Sequence, residues 1–292
     1  MDGLLDALAR PSGGLAMVAI DQRESLRAMF QAKQAAPVSD ATLKDFKVAI
    51  AEILGGAASA MLFDRDFGLA GLARIATAHP GCGRILAVDR LIQPLGGPVS
   101  DTDLDEAADL ASARKAGVNA LKFLVFWKGP ASAARCRHLA SRFVAWCRNE
   151  GFISVLEAMV RPPEGSDPAA WDREVALLDA AGALGESAPD LYKGELPLFG
   201  RAAEAEIAER CGAISKILRS PWVVLSQGVD RADFPGSVKA ARAGGAAGFL
   251  AGRAIWADLV GPGDYRSRLE TVALPRLRAL AAIVDSTAPA SP

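Results

Sequence analysis

Histidine is almost missing from this 292-residue chain: His79 and His138 are the only two, and His138 lies between arginines on the expected solvent face of a helix. A three-histidine catalytic metal site cannot be built from that stock, so we expect chemistry without a transition metal. Cysteine is scarce too, and Cys82, Cys136, Cys147 and Cys211 show neither CxxC nor zinc-ribbon spacing. Cys136 and Cys147 share helical spacing with Leu139, Ala140 and Phe143, which predicts core packing instead of redox work. No segment holds 18 apolar residues without charge, and the start lacks a positive region followed by an apolar stretch. The expectation is a cytoplasmic protein with no membrane partner. With 33 basic against 34 acidic residues there is no global basic field for nucleic acid, so any anion must meet a local pocket.

Apolar residues make up 51% of the chain and charged residues 23%, enough for a large core. Leu15 to Ile20 is an apolar run that switches abruptly to Asp21-Gln22-Arg23, as a buried parallel strand hands over to a loop. Similar short runs follow at Ala58 to Phe63, Arg84 to Val88, Ala120 to Trp127, Phe152 to Glu157, around Lys193, Trp222 to Leu225 and Gly248 to Ala251. Helical patterns separate many of them. Ser39 can cap one that stops at Gly55-Gly56, and others are expected over Asp103 to Ala116, Ala131 to Asn149, Trp171 to Ala181, Ala202 to Leu218 and Asp264 to Val284. Eight strands in βα rhythm predict an α/β fold, a single-domain TIM barrel over residues 1–292, with a frayed tail from about 286. An open doubly wound sheet is the competitor, but no GxGxxG follows the first strand.

Lys122, Glu157 and Lys193 fall on the fourth, fifth and sixth predicted strands, about one βα unit apart, so a barrel would bring all three into one lumen. Lys193 stands in Asp190-Leu-Tyr-Lys-Gly-Glu, a short apolar strand. A lysine starting inside a closed barrel loses hydration, its pKa falls, and its neutral form can attack a carbonyl. Taken alone it could equally be a strand-end lysine that reaches solvent or pairs with a carboxylate. A second cation and a carboxylate beside it argue for a Schiff-base site in which the carboxylate moves protons. Asp21 can join the same mouth, whereas Asp64 and Asp89 read as loop-anchoring carboxylates.

A second grouping, Ser226-Gln-Gly228 with Gly252-Arg253, closes the seventh and eighth strands, where barrels commonly bind phosphate through backbone amides. Arg253 adds a cationic fork and Ser226 a hydroxyl.

Taken together, Ala19-Ile-Asp21-Gln-Arg-Glu24, Leu121 to Trp127, Val155-Leu-Glu157, Val160-Arg-Pro-Pro163, Asp190-Leu-Tyr-Lys193, Val224-Leu-Ser226 and Gly248 to Trp256 resemble, in order, the sulfofructosephosphate aldolases. These group with the class I tagatose-bisphosphate aldolases. The resemblance implies a cofactor-free lyase of sulfoglycolysis that splits 6-deoxy-6-sulfofructose 1-phosphate, a product of sulfoquinovose degradation, into dihydroxyacetone phosphate and sulfolactaldehyde. It implies Lys193 as Schiff-base lysine, Glu157 as acid/base, Lys122 as its cationic neighbour and Asp21 as a further catalytic carboxylate. Ser226, Gly228, Gly252 and Arg253 would hold the phosphate; Gln22 and Arg23, with Arg161, would hold the far anion. A homo-oligomer acting on a small sugar phosphate is expected. Ala158 and Gly194 depart from the family's proline and valine. The other readings carried from the residues are a bisphosphate aldolase of the same mechanism, a non-catalytic sugar-phosphate-binding barrel, and an isomerase or decarboxylase barrel.

Overall fold

The computed structural model describes residues 3–93 and 99–287. Ten strands form. β1 (Leu15–Ile20), β2 (Ala60–Phe63) and β3 (Gly83–Ala87) are followed by a hairpin of β4 (Asp89–Ile92) and β5 (Asp101–Leu104). Then come β6 (Ala120–Trp127), β7 (Ile153–Val160), β8 (Leu191–Glu195), β9 (Trp222–Leu225) and β10 (Gly248–Ala251). Apart from the hairpin, the strands close into a barrel in the order β1, β10, β9, β8, β7, β6, β3, β2, every neighbouring pair parallel. This is the eight-stranded α/β barrel that the strand rhythm predicts.

Around it run α1 (Glu24–Gln31), α2 (Asp40–Leu54), α3 (Leu69–Ala78), α4 (Leu110–Lys115), α5 (Ala133–Glu150), α6 (Arg173–Gly185), α7 (Glu204–Ile217) and α8 (Phe234–Ala243). Two single turns, α9 (Arg253–Trp256) and α10 (Tyr265–Arg268), lead to α11 (Leu274–Ser286). Ser39 Oγ accepts the N–H of Thr42 at 3.2 Å and starts α2 where its sequence signal stands.

Each barrel strand is buried on both faces, and alternation sorts its side chains. Leu121, Phe123, Val125, Leu156, Ala158 and Tyr192 face outward into the large core shared with the helices. Leu15, Met17, Leu62, Ile85, Ala120, Val155, Leu191, Val223 and Leu250 face inward and pack with Leu5 and Leu8 as a closed apolar floor. The ionisable side chains stand above that floor.

Three expectations need correcting. The helix expected over Asp103 to Ala116 begins only at Leu110, because Asp101–Leu104 pairs antiparallel with Asp89–Ile92. Thr102 and Leu104 alternate with more open neighbours, and Thr102 Oγ1 donates to Leu124 O at 2.5 Å, so tertiary anchoring overrides local helical spacing. The helix expected over Asp264 to Val284 is interrupted by a π-helical stretch, Leu269–Ala273, just before Pro275, which has no N–H to give. β7 runs three residues beyond Glu157. The sequence reading also passed over α1, α3 and α8, none of which has a side-chain cap to announce its start. Of the expected frayed tail, residues 288–292 lie outside the described residues.

Candidate active site

β6, β7 and β8 each direct one ionisable side chain into the lumen above the floor. Glu157 and Lys193 are direct cross-strand partners, while Lys122 lies one inward step lower on β6 and reaches up with its longer chain. Glu157 bridges the two lysines, its Oε1 3.0 Å from Lys193 Nζ and its Oε2 2.8 Å from Lys122 Nζ. Lys122 Nζ also contacts Asp21 Oδ2 at 3.1 Å and Asp89 Oδ1 at 3.0 Å. Lys122, Glu157, Lys193 and Asp89 are all buried. The three residues predicted to share one lumen therefore touch, with Asp21 at the same mouth.

Asp89 was misread as a bland loop anchor. It ends the loop after β3, but its carboxylate points inward and is the third acid on Lys122. A strand-end aspartate has no sequence mark to separate the two roles; only the barrel's curvature decides them. Asp64 does anchor its loop, accepting the N–H of Phe67 at 3.3 Å.

The electrostatics follow from this crowding. Burial works against the charge on Asp21, but the Lys122 and Lys193 ammonium groups outweigh it and hold the carboxyl far below the usual range. Burial and Asp21 both oppose ionisation of Glu157, yet the same two lysines leave it lowered. Burial would discharge Lys122; Asp89, Glu157 and Asp21 together push its pKa well above normal instead. The result is a locked cation held by three carboxylates, with Glu157 reaching from it to Lys193. Among the described residues no group of three His, Cys, Asp or Glu side chains is arranged to hold a metal ion.

These groups open into a cavity of about 1040 Å³. On its β9 and β10 side stand Ser226, Gly252 and Arg253. Ser226 Oγ lies 3.5 Å from the Ala254 N–H, at the mouth of the single turn α9. Gly252 must lack a side chain, because a Cβ there would lie 2.3 Å from Ala19 O of β1. Gly228 does not line this cavity. Its φ of +77° and its place against Phe199 make it a turn residue beside the site. Gln227, passed over in the sequence, does line it and accepts from Arg253 at 2.7 Å.

The three far-anion candidates line the cavity but are not equivalent. Arg23 donates to the Asp89 carbonyl at 3.0 Å and lies 3.3 Å from Asp66 through an Nε that makes no hydrogen bond among the described residues. Arg161 stacks on Phe126 at 5.2 Å, and burial, helped by nearby Arg173 and Arg253, lowers its pKa against the pull of Glu195. The Gln22 Oε1 is buried and accepts no hydrogen bond among the described residues. An apolar patch of Leu124, Phe126, Met159 and Leu225, also unforeseen, forms the wall above Lys122 and Glu157. Ala158 and Gly194, the two departures from the family pattern, are cross-strand partners of each other. Both face away from the lumen, and a Cβ at Gly194 would come within 3.0 Å of Tyr192 Cε1. They alter the layer behind the site and not its lining.

Comparison with known proteins agrees with this geometry. The family described as DeoC/LacD family aldolase matches residues 15–258. Tagatose 1,6-diphosphate aldolase 1 of Enterococcus faecalis is 28% identical over 279 residues, covering 88% of this chain and 84% of its own. Tagatose 1,6-diphosphate aldolase of Listeria monocytogenes is 29% identical over 286 residues, covering 88% and 81%. Among solved structures, a fructose-bisphosphate aldolase from Slackia heliotrinireducens superposes with a TM-score of 0.64 at 22% identity, covering 97% of this chain and 88% of its own. At that identity the likeness speaks for the fold.

Proposed function

The chain belongs to the DeoC/LacD family of aldolases, and from that premise we propose that it is a class I enzyme that cleaves a ketose 1-phosphate through a Schiff base on Lys193. The observation that carries this reading is Glu157 held between two buried lysines, 3.0 Å from one and 2.8 Å from the other. Lys193 Nζ passes a proton to Glu157 and adds to the ketose C2 carbonyl; the proton gained at nitrogen moves to the C2 oxygen to give a carbinolamine, Glu157 returns the first proton to that hydroxyl, and water leaves a protonated iminium. A base removes the C4 hydroxyl proton, the C3–C4 bond breaks into an aldehyde, and its electron pair moves through C2 to the iminium nitrogen, leaving an enamine. Protonation at C3 and addition of water then release dihydroxyacetone phosphate. Lys122, fixed as a cation, keeps Glu157 and Asp21 ionised. Ser226, Gly252 and Arg253 receive the C1 phosphate, and this part of the reading rests on their place at the last two strand ends.

For the far end we take a sulfonate, with 6-deoxy-6-sulfofructose 1-phosphate as substrate and sulfolactaldehyde as the aldehyde. A sulfonate carries one charge and three acceptor oxygens, whereas a phosphate monoester carries nearly two, so it needs fewer free cations. Arg23 already sits between Asp66 and Asp89, which offset its charge, so Gln22 with Arg161 is assigned to that end. The second reading, cleavage of tagatose or fructose 1,6-bisphosphate, is favoured by the names of the curated relatives.

Two measurements test these layers separately. Borohydride with dihydroxyacetone phosphate should leave a covalent mass on Lys193; its absence with binding intact would mean a non-catalytic sugar-phosphate barrel. The kcat/KM values for the sulfosugar phosphate and both bisphosphates, taken side by side, decide the far end. The sulfosugar should be preferred and Gln22→Ala should narrow the ratio; a clear preference for a bisphosphate sinks the sulfonate and leaves Lys193 standing.

A further inference from the structure

Lys47 is one of the largest wholly buried side chains, at 0% exposure, and the chemistry above makes no use of it. It stands on α2, outside the barrel wall, and its ammonium is fully occupied. Nζ donates to Ile20 O at 2.8 Å, to Gln22 O at 2.7 Å and to the Asp64 carboxylate at 2.8 and 2.9 Å. Three N–H donors meet three acceptor groups, so the burial of the charge is compensated.

Two of those acceptors are the carbonyls immediately before and after Asp21. The ladders of β1 end at Ile20 on the β2 side and at Val18 on the β10 side, and α1 does not begin until Glu24. Asp21 thus lies on a stretch that no sheet ladder holds, and Lys47 holds it from behind by both flanking peptides. Asp64, at the end of β2, fixes Lys47 in turn. For stability alone such a buried pair is replaceable, because apolar side chains of similar volume commonly serve as well. Its use must lie in what it holds.

We propose that Lys47 is a positioning residue for Asp21: by clamping the Ile20 and Gln22 carbonyls it aims the Asp21 carboxylate at Lys122 and the substrate, so that activity depends on Lys47 through Asp21. The inference rests on the Schiff-base reading above. The charge of Lys47 also helps keep Asp21 ionised, though less than those of Lys122 and Lys193.

The test is a double-mutant cycle on the full chain. Lys47→Met/Asp64→Asn removes both charges while leaving an acceptor for the Phe67 N–H, and urea midpoints show how far it remains folded. In the wild-type background the pair substitution should lower kcat by roughly 10- to 100-fold, as a misplaced catalytic group does, with KM for the ketose phosphate moving far less. In the Asp21→Asn background the same substitution should change kcat by less than about twofold. An equal loss in both backgrounds overturns the proposal, since Lys47 would then act on the fold at large. So does an Asp21→Asn enzyme as fast as wild type, because nothing would remain to be positioned. The borohydride adduct on Lys193 keeps the two ideas apart: present with an additive cycle, it leaves the Schiff base and removes only the clamp; missing from the wild type, it removes both.

Discussion

Two lysines stand in the same lumen, 2% and 4% exposed, and have opposite surroundings. Lys122 has Asp21, Asp89 and Glu157 within 3.1 Å; Lys193 has Glu157 alone among the described residues. Burial therefore does not distinguish them. The number of carboxylates does: Lys122 is shared by three acids, which push its pKa well above normal, whereas Lys193 meets one acid that it shares with another cation. On the proposed mechanism the barrel makes a fixed cation and a nucleophilic amine from the same residue type.

The strongest way to break this contrast is Lys193→Met. It should abolish the borohydride adduct and lower kcat by about 10⁴-fold or more, the scale of a lost covalent nucleophile, while Lys122→Met should retain an adduct on Lys193, measured by mass spectrometry. An adduct on Lys122 instead would exchange the two roles.

Next in size is stability. Lys122→Met takes the shared cation from Asp21, Asp89 and Glu157 and should cost about 3–5 kcal/mol in urea unfolding, whereas Lys193→Met, which strips Glu157 of one partner of two, should cost less. The pH dependence sharpens this. Asp21 and Glu157 have lowered folded pKa values, so their contribution is complete above the unfolded range near pH 4 and is lost as pH falls through the folded values. The Lys122 pKa is raised, so its contribution is full below about pH 10 and is lost as pH rises through its folded value. Urea midpoints against pH should show both losses in wild type, and Lys122→Met should lose the alkaline one and shrink the acid one.

The smallest expected effect lies at the other end of the cavity. Arg253 is exposed and bonded to Gln227, so Arg253→Ala should remove about 2 kcal/mol, roughly 30-fold, of kcat/KM for substrates with a C1 phosphate. Proton exchange on unphosphorylated dihydroxyacetone should hardly change. Equal losses on both would move the phosphate elsewhere.

The same contrast shows what was legible in the chain. Lys122, Glu157 and Lys193 could be placed together from strand spacing, because a period-2 strand in a closed barrel fixes which side chains face inward. β1, β6, β9 and β10 have the bounds that their apolar runs imply. Asp89 escaped because its role depends on the direction of one side chain past a strand end. Gly228 is harder to assign, because glycine marks a phosphate cradle and a tight turn alike. The β4–β5 hairpin escaped because Asp101–Leu104 is held by Leu124 and by Arg135, partners 22 and 33 residues away.

The apolar floor under Lys193 has a kinetic meaning. Leu15, Met17, Leu191 and Leu250, plugged from below by Leu5 and Leu8, leave the lumen closed beneath Lys193 Nζ, so substrate and products would share one mouth. With the ketose half tethered to Lys193 as proposed, the free aldehyde would be the fragment to clear the passage first. Turnover in such a blind-ended chamber is ordered: the aldehyde should inhibit noncompetitively against the ketose phosphate, and dihydroxyacetone phosphate, last to leave, competitively.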